Sequence, residues 1–172
     1  MRIKLILAAM AVSVALGATG NVAPTKAAPA MPPASPTDAC SLLTQAQVSA
    51  ALGVTVSAGQ KLMPNTPSIC GWEVPGETGV KRKRVMVSIY TPIGHLTPAD
   101  RFNNAKTPVK GITKTPVSGV GDDAIYATTP GLGTGLIFKK GASAFDVRVY
   151  GFTDDQVKEK EKTLALEIIA KL

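Results

Sequence analysis

Histidine occurs once in the 172 residues of this chain, tryptophan once and cysteine twice, and aromatic side chains make up only 5%. Each scarcity removes a class of chemistry. A structural zinc site takes four Cys or His side chains, and Cys40, Cys70 and His95 are the only ones present. A serine or cysteine nucleophile would need His95 as its base, oriented by a carboxylate, and no Gly-x-Ser-x-Gly elbow accompanies it. His95 therefore reads as a surface-loop residue. No nucleotide-binding loop is found, and neither a cofactor nor a metal is expected. The few aromatics also argue against a nucleic-acid partner. No apolar run reaches the roughly 20 residues that a bilayer-spanning helix requires.

The longest such run is residues 5–18 (LILAAMAVSVALGA), which follows the basic start Met1-Arg2-Ile3-Lys4. A basic start and a short uncharged apolar stretch are the pattern of a cleavable secretory signal. Small residues allow cleavage near 20 or as late as 30. A lipobox is missing: Cys40 lies far behind the apolar run, preceded by Thr37-Asp38-Ala39. The mature form is thus expected to carry no lipid or transmembrane anchor and to reside in the periplasm or outside the cell. Residues 21–37 (NVAPTKAAPAMPPASPT) hold five prolines and read as an extended linker. A single domain is expected over residues 38–172, long enough to bury a core. The formal charge of +7 falls to +4 once Arg2, Lys4 and Lys26 are removed with the leader. That is a mild attraction to anionic surfaces.

An even cysteine count in an exported chain fits one disulfide, Cys40 to Cys70. The other readings are two buried thiols or half of a metal site.

Three helices are predicted from their first turns. Thr44 and Gln47 form a capping box, with Leu43 and Val48 as a staple, and Gly53 ends the helix. Thr97-Pro98-Ala99-Asp100 starts the second, which stops before Pro108. Thr153-Asp154-Asp155 starts the third, with Val157, Leu164, Ala165, Ile168, Ile169 and Leu172 as its apolar stripe running to the C-terminus. Strands are predicted at 68–74, 85–90, 123–128, 135–140 and 144–150, the last two joined by Gly141-Ala142-Ser143. The segment Lys106-Thr107-Pro108-Val109-Lys110-Gly111 is echoed by Lys114-Thr115-Pro116-Val117-Ser118-Gly119. Both copies read as Pro-bearing loop or edge-strand segments. The expected fold is α+β: an antiparallel sheet with about three helices packed mainly on one face and one disulfide.

Three motifs, Asp38-Ala39-Cys40-Ser41-Leu42-Leu43-Thr44, Cys70-Gly71-Trp72 and Val117-Ser118-Gly119-Val120-Gly121-Asp122-Asp123-Ala124, together resemble a broad group of bacterial exported proteins and lipoproteins carrying domains of unknown function. The resemblance implies an exported α+β domain with the two cysteine motifs disulfide-linked. It implies no reaction.

Chemistry-bearing residues are few. Lys81, Arg82, Lys83 and Arg84 form the densest charge run, entering a strand with alternate members on opposite faces. They read either as a site for an anionic glycan, lipid or acidic protein or as a charged edge strand that discourages pairing. Trp72 reads as a ligand platform or as core beside the bridge. Asp122 and Asp123 read as a carboxylate pair for hydrolysis or as turn residues bonding backbone N–H groups. The leading expectation is a non-enzymatic binding or interaction protein of the bacterial cell envelope, with an envelope protein as one candidate partner. The alternatives are an anionic-surface binder and, third, a carboxylate-dependent hydrolase.

Overall fold

The computed structural model describes residues 35–172. The signal peptide expected over residues 1–20 and the linker as far as residue 34 lie outside the described residues. Caps account for where the helices begin. At α1 (Gln45–Leu52), the Thr44 hydroxyl accepts the Gln47 N–H at 3.2 Å while Gln47 Oε1 accepts the Thr44 N–H at 2.9 Å. Gly53 closes the helix at φ 72°, a left-handed conformation costly for other residues. α2 (Pro98–Lys106) repeats the box with Thr97 and Asp100. At α3 (Asp154–Ile169), Gln156 Oε1 accepts the Thr153 N–H at 3.2 Å. α3 stops short of Leu172, which is 37% exposed, so the apolar stripe ends with Ile168 and the partly buried Ile169.

Seven strands form one antiparallel sheet: β1 (Gln60–Lys61), β2 (Ile69–Glu73), β3 (Arg84–Ile89), β4 (Thr113–Pro116), β5 (Asp123–Thr129), β6 (Gly133–Lys140) and β7 (Ser143–Tyr150), in the order β1-β2-β3-β7-β6-β5-β4. Together with the three helices this is an α+β fold. The second copy of the Lys-Thr-Pro-Val echo supplies edge strand β4, while the first forms the end of α2 and the loop after it.

Alternation along the strands makes two cores. One face of the sheet presents Val85, Val87, Leu136, Phe138, Phe145 and Val147 to α1 and α3. Phe138 and Phe145 stack there with centroids 5.0 Å apart. The opposite face presents Ile125, Ile137 and Ala144, and α2 covers these with Phe102. Two helices therefore share one face and the third crosses to the other. Burial of this apolar area, at about 25 cal/mol per Å², drives both contacts. The Cys40–Cys70 disulfide, with Cα atoms 5.1 Å apart, ties the turn before α1 to β2. Among the described residues, no helix is long and apolar enough to cross a membrane.

Pairing between β6 and β7 begins at Lys140 opposite Ser143 and stops at Leu136 opposite Val147, while β7 stays paired to β3 as far as Tyr150. The strands part beyond that point, and the Val149 N–H donates to Glu161 Oε1 of α3 at 3.0 Å instead of to a strand.

Candidate binding site

The predicted site residues go to different places. Trp72 is 1% exposed, packed in the main core, with Gly59 so close that an added Cβ would stand 2.8 Å from the indole. Buried in this way, Trp72 offers no ring face to a ligand and leaves the candidate set. It stands opposite Val85 on β3, on the same face of β2 as Cys70, with Gly59 against its ring.

The basic run is not an edge. β3 lies between β2 and β7, so the charged-edge reading is corrected: both ladders of the strand are occupied. Lys81, Arg82 and Lys83 precede the strand, and only Arg84 enters it. Lys83 pairs with Glu77 at 2.7 Å, and that lysine lowers the Glu77 pKa by hydrogen bonds from its side chain and its backbone N–H. Arg82 pairs with Glu73 at 3.2 Å. Lys81 is exposed and Arg84 lies over the Tyr150 ring, its Cζ 4.4 Å from the centroid. Half of the run is thus neutralised by neighbouring carboxylates.

Asp122 and Asp123 are tied down separately. Asp122 accepts the Gly141 N–H at 2.7 Å and Lys140 Nζ at 3.0 Å, which together hold its pKa below the ordinary value. Asp123 pairs with Lys106 at 2.6 Å. Asp122 thereby locks the β6–β7 hairpin turn to the start of β5. His95 is exposed in the loop before α2. No group of three or more His, Cys, Asp or Glu suited to a metal ion is found among the described residues.

An apolar cleft lies where four segments meet: residues 35–37, the end of β3 and its following loop, the first turn of α2, and the β6–β7 turn. Its volume is about 410 Å³, and Ile89, Tyr90, Pro92, Pro98 and Ala142 give it almost wholly apolar walls. Burial pushes the Tyr90 hydroxyl up to about 12, so the phenol is neutral. Arg101 stacks on the Tyr90 ring at 4.5 Å and donates from Nη1 to the Thr91 carbonyl at 2.7 Å. These contacts hold one wall in place. Nothing in the sequence announced this cleft, because its walls are distant in the chain and chemically plain.

Two buried carboxylates were also missed. Glu161 occupies a core-facing position of α3, 0% exposed, with one oxygen bonded to Val149 N–H and the other unpartnered. Burial pushes its pKa up to about 9. The gap between Val157 and Leu164 in the apolar stripe was the signal, since residue 161 falls on the same helical face. Asp146 is enclosed against Arg148 on the α2 side of the sheet, and burial raises its pKa against the lowering effect of that arginine. Comparison with protein-family models, curated proteins and solved structures finds no match.

Proposed function

We propose that the protein is an exported, non-enzymatic binding domain of the bacterial cell envelope whose cleft beside Tyr90 holds an apolar group of its ligand. The observation that carries the reading is the cleft: about 410 Å³, within the roughly 300–1,000 Å³ typical of small-molecule sites, which are likewise mostly apolar. The tied carboxylates of Asp122 and Asp123 favour binding over hydrolysis. Export is supported by the leader-like residues 1–18 and by a disulfide, which persists in oxidising compartments.

Titration with the fluorescent apolar probe 1-anilinonaphthalene-8-sulfonate tests the site. Saturable binding is expected, weakened at least tenfold by Ala99→Trp, which places an indole in the cleft. Equal binding by both proteins, with unchanged melting, refutes the assignment. Export is tested by the mass of the protein recovered from envelope fractions, which is expected to lack the first 20 to 30 residues.

A further inference from the structure

We propose that Arg84 and Arg148 form a seat for a phosphate group on the α2 side of the sheet, at the end remote from the apolar cleft. The β3–β7 register sets Arg84 opposite Tyr150 and Met86 opposite Arg148. The two arginines are therefore diagonal neighbours on one face, a separation of about 7–8 Å that long side chains bridge. Arg84 rests on the Tyr150 ring at 4.4 Å and has no carboxylate partner among the described residues. Arg148 is gripped through Nε, at 3.2 and 3.1 Å from the two oxygens of Asp146, and also hydrogen-bonds the Tyr150 side chain. Those contacts set the guanidinium plane, and since a guanidinium carries five N–H donors, some of its Nη donors remain for a ligand. The pair is well enclosed, with side-chain exposures of 29% for Arg148 and 13% for Asp146.

The sheet is cut to make room for this arrangement. Gly135 lies inside β6 without a positive φ, so no turn explains it. Glycine in a strand interior weakens the strand and marks a close approach. Here the approaching group is Arg148: a Cβ at residue 135 would stand 3.0 Å from its Nε and 3.1 Å from Asp146 Oδ1. Glu73, which the β2–β3 register sets opposite Arg84, is taken by Arg82 at 3.2 Å, and Asp123, farther along the same face, by Lys106 at 2.6 Å. Glu73 and Asp146 are thus each held by another cation, and Arg84 is paired to neither. Guanidinium forks match phosphate oxygens in geometry and charge, and partial enclosure lessens screening by salt. The phosphate is either free or carried by a lipid headgroup, and the chemistry of recognition is the same.

Calorimetric titration of the whole protein with inorganic phosphate tests the seat. One saturable site is expected. Arg84→Gln keeps an aliphatic stem over Tyr150 and is expected to weaken binding at least tenfold. Gly135→Ala, which displaces Arg148, acts in the same direction. Lys110→Gln removes an exposed cation and is expected to leave binding unchanged. Vesicles of phosphatidylglycerol, set against phosphatidylcholine, form the second arm. Vesicle binding that inorganic phosphate competes away and Arg84→Gln abolishes identifies a lipid headgroup as the source, while phosphate binding without vesicle binding identifies free phosphate. Absence of saturable phosphate binding, or equal affinity in Arg84→Gln and Lys110→Gln, overturns the proposal. Melting curves verify each fold, and should Gly135→Ala fail to fold, Arg84→Gln decides alone.

Discussion

Replacing Glu161 by glutamine isolates the effect of one buried acid on stability. The side chain is 0% exposed, it accepts one hydrogen bond from the Val149 N–H, and its second oxygen has no partner. Burial raises its pKa to about 9; the Val149 hydrogen bond opposes the rise, Asp146 of β7 adds to it, and Arg148 of β7 and Lys158 of α3 oppose it. Tyr126 of β5 also faces this acid, and its hydroxyl donates to the Lys158 carbonyl at 2.7 Å and stays protonated to about 12, raised by burial and then by Glu161. In the unfolded chain the carboxyl titrates near 4.5. Between these two values the folded protein keeps the proton and the unfolded chain releases it. Stability from this group is whole below pH 4.5 and drains away as pH rises toward 9. The slope is about 1.4 kcal/mol per pH unit, or about 3 kcal/mol by pH 7. Glutamine cannot ionise, but it buries two N–H donors where the protonated acid buries one O–H, and that extra unsatisfied donor costs about 1–3 kcal/mol at every pH. Glu161→Gln is therefore expected to be the less stable protein at pH 4 and the more stable at pH 9, the curves crossing between about pH 5 and pH 6.6. Urea unfolding followed by the fluorescence of Trp72, the lone tryptophan, measures this directly. Asp146 contributes to both curves, so their difference reports Glu161. Parallel curves would refute the reasoning.

Two further outcomes are expected. Reducing the Cys40–Cys70 bridge, which closes a separation of 30 residues, should lower the unfolding free energy by about 3–4 kcal/mol, read as a drop in the urea midpoint; an unchanged midpoint would show the bridge to be dispensable. Gly121→Ala should cost more than about 1 kcal/mol, because Gly121 sits at φ 58° and an added Cβ would run into the Lys139 carbonyl oxygen; a melting temperature equal to that of the parent would contradict this.

Much of the local architecture was legible. The caps at Thr44 and Thr97 rest on hydrogen bonds between residues three apart, so a few neighbouring letters suffice to reveal them. Of the two carboxylates read either as a hydrolytic pair or as turn residues, Asp122 bonds a backbone N–H, that of Gly141, 19 residues away, and Asp123 pairs with Lys106 instead. β1 escaped because two exposed residues carry no alternation. The face chosen by α2 also escaped, since Phe102 is its one buried residue and a single apolar side chain does not say which surface it will meet. Glu161 was hidden because an apolar stripe is read by its hydrophobic members, and the acid sits in that stripe where an aliphatic residue was expected.

The chain alone determined its helix starts and the inward and outward faces of β3 and β7, because each depends on short spacing, and its even count of two cysteines pointed to one bridge. The tertiary structure decided that β3 lies inside the sheet beside β7, across some sixty residues of sequence. The β2–β3 hairpin turned two of the four basic residues into ion pairs, and the non-local β3–β7 pairing set Arg84 beside Arg148. The β3–β7 pairing also brought the β6–β7 turn to the end of β3, where the apolar cleft forms. Strand order depends on which apolar faces bury most area together, and no local pattern encodes that choice.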